Sequence, residues 1–250
     1  MLPEKTWKTE AAIRLMLAVF GTLCVGIILV EAVTKLNSWF SQGELIARFS
    51  PGEIKLFSMV IMTLALHGAS LLWVRSFLKE EHLSWREAFG FDAPRKSRTV
   101  CLSMLAVILV LPVAWSLQQL SVWIMNTMHL HPSAQEVVHE IQSKGVSSFQ
   151  HVLLALVALI GAPIVEEILF RGIMYPTIKR AGYPRIALWG TVILFGLTHA
   201  NTAAFFPLVF FAVILTKLYE ETGNLLSPIL AHALFNLANF ALLMLEKQFV

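Results

Sequence analysis

The amino-acid sequence predicts an all-α fold, a polytopic transmembrane helical bundle of about seven to eight spans with short interfacial helices. Three observations carry that prediction. Of the 250 residues, 57% are hydrophobic and only 14% are charged, which is too apolar for a water-soluble globule of this length. Apolar runs of about 20 residues, enough to cross roughly 30 Å of hydrocarbon, recur along the chain with short polar breaks between them. The lysines and arginines behind the formal charge of +3 sit in those breaks and form no stripe on one face. They therefore speak for membrane topology and against a nucleic-acid partner.

Spans are expected near residues 11–33, 54–78, 99–126, 151–178, 185–200, 203–221 and 225–245, making residues 1–250 one integral membrane domain. The first run is longer than a signal-peptide core and leads to no small-residue cleavage site, so it reads as a retained span. Lys5, Lys8 and Arg14 precede it; Arg75, Lys79, Arg86, Arg95, Lys96 and Arg98 cluster after the second span; Lys179, Arg180 and Arg185 follow the fourth. The 127–150 connection carries only Lys144, and the 199–203 connection has no lysine or arginine. The positive-inside rule then places the amino terminus in the cytoplasm and the carboxyl terminus outside, in the plasma membrane if the source is prokaryotic.

Two connections have helical character of their own. EHLSWREAFGFDAPRKS reads as a short amphipathic piece with Trp85 and Phe89 toward the lipid headgroups. LHPSAQEVVHEIQSKGVSSFQ, with a start signal at Ser133 and a stop at Gly145, reads as an interfacial helix over 133–150 that either gates the protein or rests on the membrane. Cys24 and Cys101 lie inside apolar runs without metal-knuckle or disulfide spacing and read as core packing. His129, His131, His139 and His151, in the outer connection, lack metal-ligand spacing. His67, in the second span, reads as a packed or cavity-facing histidine.

Polar residues in the last four spans are few: Glu166, Glu167 and Arg171 in the fourth, His199 closing the fifth, and His232 and Asn236 in the seventh. An intramembrane ionisable residue costs about 3 kcal/mol on insertion, so it is usually paired, hydrated or functional. With about 1.5 Å of rise per residue, counting from the cytoplasmic helix ends places Glu166 and His199 about 20 and 21 Å in, and His232 and Asn236 about 12 and 18 Å in. Helices of alternating direction thus bring these groups to one layer. Glu167 and Arg171, at i and i+4, can pair along one face, and His232 and Asn236 share a face in the same way. Adjacent glutamates diverge by about 100° around a helix, so one carboxylate can be neutralised by Arg171 while the other stays available. Pro163 is expected to loosen the helix just before them. Taken alone, the Glu167–Arg171 pair fits a buried structural ion pair, and His232 with Asn236 fits interhelical hydrogen bonding. Their convergence with Glu166 and His199 is what points to a catalytic site.

The motifs EEILFR at 166–171, FGLTH at 195–199 and HALFN at 232–236 resemble the EExxxR, FxxxH and HxxxN signature of the CAAX-protease and bacteriocin-processing (CPBP) family of glutamic-type intramembrane proteases, related to type II CAAX prenyl endopeptidases. The resemblance covers roughly the carboxyl-terminal hundred residues and gives 151–245 as the catalytic core. It implies an intramembrane endopeptidase that hydrolyses a peptide bond in a membrane-associated protein or peptide, with or without a lipid on it, and that uses no cofactor and no metal. By the same resemblance, Glu166 is the general base, His199 holds the water with it, and His232 and Asn236 stabilise the oxyanion. Glu167 and Arg171 support the site, and Phe195 sets the angle of the helix that carries His199. Other readings of the same residues stay open. One is a zinc-dependent protease with Glu166, His199 and His232 as ligands, although no HExxH helix is present. Another is a proton-coupled transporter, which would spread its polar groups across depth. A third is a non-catalytic scaffold that retains the fold.

Overall fold

The computed structural model describes residues 7–41, 51–92, 96–130, 152–153 and 155–248. Helix α1 spans Thr9–Ser41. Helix α2 runs over residues 51–80 as Pro51–Thr63, a wide π-helical turn Leu64–Gly68, and Ala69–Glu80. A short α3, Trp85–Phe89, precedes the long α4, Lys96–Thr127. Helix α5, residues 157–180, combines the π-helical turns Val157–Gly161 and Ile168–Met174 with the α-helical pieces Ala162–Glu167 and Tyr175–Arg180. The chain then forms α6 (Pro184–Thr198), α7 (Phe205–Thr222) and α8 (Leu226–Gln248). No strand occurs among the described residues.

Four stretches among the described residues are long and apolar enough to cross a membrane: Thr9–Trp39, Leu56–Glu80, Ser97–Thr127 and Leu226–Leu245, with Pro184–Thr198 a shorter apolar helix. The protein is an integral membrane helical bundle. Its outer faces carry Ile28, Leu72, Ile108, Leu109 and Trp123 exposed, as expected where lipid rather than water is the surrounding solvent. The inner faces pack in two clusters. One joins the start of α1, the end of α2, α3, α5 and α6 through Leu15, Phe77, Phe89, Ile173 and Phe195. The other seats Val107, Val110 and Ala114 of α4 against Phe211, Leu215 and Phe235 of α7 and α8.

The segment before α4 departs from the sequence expectation. Helix α3 forms as its signals require, with a capping box between Ser84 and Glu87 and a left-handed Gly90 at its end. Phe89, however, is fully buried rather than turned to headgroups, and Trp85 packs against the same core. The reason is a slot in α5. Gly172 has no Cβ, and a Cβ there would lie 2.9 Å from Phe89 Cε1 and 3.2 Å from Leu225 Cδ2. The slot admits the Phe89 ring, and the Leu225 N–H then donates to the Phe89 carbonyl at 2.9 Å. Cys101 also differs, since it is exposed on the outer face of α4, while Cys24 is half-buried. The 133–150 segment lies outside the described residues.

A methyl group at Gly172 overfills this slot. Gly172→Ala is expected to destabilise the protein by about 1–3 kcal/mol, and by clearly less in a Phe89→Leu background. Denaturation of the single and double variants in detergent measures that coupling.

Candidate active site

Two of the site's side chains stand on the Ala162–Glu167 piece of α5, between its two π-helical turns. Pro163 occupies the first turn of that piece and lacks an N–H. The wide turn Val157–Gly161 directly precedes it, the local loosening expected of the proline. The Ala158 carbonyl in that turn accepts a hydrogen bond from Asn236 Nδ2 of α8 at 2.8 Å. A backbone group made available by irregular helix is thus satisfied by a side chain from a neighbour, as membrane burial demands.

Glu166 and Glu167 have opposite surroundings. Glu167 is 0% exposed, and its Oε1 accepts from Arg171 Nη1 at 2.8 Å and from His232 Nδ1 at 2.8 Å. The i,i+4 ion pair read from the sequence is present, and α8 supplies a third member. Arg171, 1% exposed, also donates through Nη2 to the Ala212 carbonyl of α7 at 3.3 Å, and its guanidinium stacks 4.4 Å from the Phe195 ring centroid. A planar, fully charged group matches those partners better than an ammonium would. Glu166, 21% exposed, points elsewhere. Its Oε2 lies 3.9 Å from His232 Nε2, is buried, and has no hydrogen-bond partner.

Both motif histidines are oriented by an acceptor at Nδ1. The carboxylate of Glu167 can only accept, so His232 Nδ1–H donates to it and Nε2 is left facing Glu166. His199, half-buried at the C-cap of α6, donates Nδ1–H to the Phe195 carbonyl at 2.8 Å, which leaves its Nε2 free as well. An imidazole with one nitrogen committed this way has its tautomer fixed by that bond.

Phe195 is the hub of the packing. It is 0% exposed, with ring centroids 5.3 Å from Phe170, 4.8 Å from His199 and 5.8 Å from His232. Through this one ring α6 is keyed to α5 and α8 at once. Phe211 of α7 supports His232 from another side at 5.5 Å, a contact that no motif in the sequence announces. The structure therefore joins Glu167, Arg171 and His232 by direct hydrogen bonds and sets Glu166 Oε2 3.9 Å from His232 Nε2. His199 is joined to them through Phe195, and Asn236 by its bond to α5. Among the described residues no group of three His, Cys, Asp or Glu side chains that could hold a metal ion occurs.

Residues 148–238 match a family model described as Type II CAAX prenyl endopeptidase Rce1-like. The matched segment contains all three motifs and agrees with the CPBP resemblance. No curated protein and no solved structure matches the chain.

The buried trio has an energetic consequence. Arg171→Leu leaves the Glu167 carboxylate without its countercharge, and a loss of about 3–5 kcal/mol is expected. Arg171→Leu combined with Glu167→Leu is expected to recover part of that loss. Unfolding measured in detergent for both variants checks the order.

Proposed function

Because residues 148–238 match the family model of type II CAAX prenyl endopeptidase Rce1-like proteins, we propose that the chain is an intramembrane endopeptidase in which Glu166 activates water. One observation carries this reading. Of the two adjacent carboxylates, each keeping one Oε2 without a hydrogen bond, Glu167 is fully buried with its Oε1 engaged by Arg171 and His232, while Glu166 is 21% exposed with its Oε2 3.9 Å from His232 Nε2. That division of labour suits a general base held next to a fixed support.

In the proposed step Glu166 takes a proton from water as the water oxygen attacks the scissile carbonyl carbon. His199 orients that water through the Nε2 left free by its bond to the Phe195 carbonyl. Negative charge grows on the carbonyl oxygen. Asn236 has one Nδ2 hydrogen committed to Ala158 and a second that can donate to the oxyanion. His232 can donate from Nε2 only when the ring carries a second proton, and Glu167 then provides the balancing charge. Collapse of the intermediate breaks the C–N bond, and Glu166 returns its proton to the leaving amine nitrogen. The helices at 151–245 form the catalytic core in this reading, and the 1–250 chain is one membrane domain with its amino terminus in the cytoplasm.

The substrate class is a membrane-associated protein or peptide. A prenylated carboxyl terminus is what the family's description names, and it is one substrate to assay. Glu166→Gln preserves shape and hydrogen bonding but removes the base, so hydrolysis is expected to fall at least about a hundredfold. Two measurements check it: turnover of a prenylated CAAX-type peptide by purified chain in proteoliposomes, and the membrane peptidome of cells expressing either form. Native-level cleavage by the variant ends the glutamate mechanism.

A further inference from the structure

Of the site's side chains, His199 stands where its helix stops. It is the C-cap of α6, so the backbone that carries its ring has regular helix on one side only. On that side its attachments are plain: Nδ1–H donates to the Phe195 carbonyl at 2.8 Å, and the imidazole lies 4.8 Å from the Phe195 ring centroid. On the other side the chain passes through residues 200–204, a turn that belongs to none of the three motifs.

That turn begins in a disfavoured conformation. Ala200 has φ 48°, in the left-handed region, which a residue with a Cβ adopts rarely and where its surroundings impose it. Its N–H donates to the Leu197 carbonyl at 3.0 Å and tightens the end of α6. The next residue, Asn201, is 7% exposed, and its Oδ1 accepts from the Ala204 N–H at 2.8 Å. A short side-chain oxygen that takes a backbone N–H ahead of it closes a turn locally. Ala204 belongs to the core cluster that also contains Phe195. The Asn201 bond thus ties the chain after His199 to the core on which the His199 ring lies.

One turn back, the two arms of the hairpin close on each other. A Cβ at Gly196 of α6 would stand 2.8 Å from Val209 Cγ2 and 3.1 Å from Phe205 Cδ2, both on α7. Gly196 sets how closely α6 and α7 approach, and Asn201 sets how the chain crosses between them. His199 sits between these fastenings, three residues after one and two before the other. With helical hydrogen bonding ending there, the direction of its Cα–Cβ bond depends on the Ala200–Asn201 backbone as much as on α6.

We propose that Asn201 is a positioning residue for His199: by closing the 201–204 turn on the Ala204 N–H, it holds Ala200 in its left-handed conformation and so fixes the backbone from which the His199 ring reaches the attacking water. This assignment rests on the glutamate reading and deepens it. Asn201 touches no reacting atom and acts through the two residues before it.

The test uses the full chain, labelled with nitrogen-15 at histidine and held in lipid nanodiscs. The ring-nitrogen signals of His199 and His232, assigned with His199→Gln and His232→Gln, are read in Asn201→Ala. The His199 signals are expected to shift and those of His232 to stay. Unchanged His199 signals overturn the proposal, and so do equal shifts at both rings, which mark a general loosening. On the membrane peptide that the native chain cleaves, Asn201→Ala is expected to lower kcat by about ten- to a hundredfold, as misplacement of a catalytic group does, with KM within about twofold. Asn201→Ser keeps an oxygen that can close the turn and is expected to recover most of that loss. A native kcat in Asn201→Ala, or a serine variant no faster than the alanine one, overturns the assignment. Should Asn201→Ala fail to fold, Asn201→Gln, one methylene too long for the same bond, carries both measurements with the same expected and overturning results. If Glu166→Gln itself cleaves at the native rate, the protease reading fails, and the nitrogen signals still decide whether Asn201 positions His199.

Discussion

A carboxylate enclosed in an apolar bundle must have its charge answered within the protein, because neither lipid nor bulk water is there to do it. Glu167 meets that requirement with Arg171 from its own helix and His232 from α8, two donors on one oxygen. The rest of the arrangement follows from keeping this trio intact. Arg171 reaches across to the Ala212 carbonyl and so ties α7 to α5. Its flat guanidinium needs a ring to lie on, and Phe195 of α6 provides one. Four helices are thereby registered to a single ion pair.

The same constraint explains why two glutamates stand side by side rather than one. A lone carboxylate would be drawn into pairing with the nearest cation and lose its availability. With Glu167 in that role, the helix can present Glu166 in a different direction at the same depth. Both carboxylates keep an Oε2 without a hydrogen bond, so what separates them is that Glu167 Oε1 is engaged by Arg171 and His232 while Glu166 is partly open. Irregular helix does the complementary work. By widening at Val157–Gly161 and Ile168–Met174, α5 exposes backbone groups and re-aims side chains without breaking the span.

Much of this was legible in the sequence, for reasons that differ residue by residue. The spans follow from composition alone, and α6, α7 and α8 lie within a few residues of where apolar runs put them. The Glu167–Arg171 pair is a local, i,i+4 property of one helix and needs no tertiary knowledge. The bond from His232 to Glu167 is not local, since 65 residues separate them. It depends on how far α8 slides along α5, which is set by Phe195 and Phe211 packing on the imidazole. Phe89 was misplaced because a five-residue helix with one apolar face suits headgroups as well as a core, and the choice is made by the absent side chain at Gly172, far along the chain. Cys101 was misplaced for a related reason: in a membrane protein the outer face is as apolar as the inner, so an apolar run cannot tell which side looks inward.

The bonds between α5 and α8 also bear on how such a bundle would open. Asn236 is stapled to the Ala158 carbonyl and His232 to the Glu167 carboxylate, four residues apart on one helix and nine apart on the other. Two rivets along a shared seam make these helices a single plank, and prising them apart would break both polar bonds in a medium that offers no replacement. Elsewhere, Arg14 of α1 pairs with Glu80 of α2, and Trp7, just before α1, donates to Thr177 of α5.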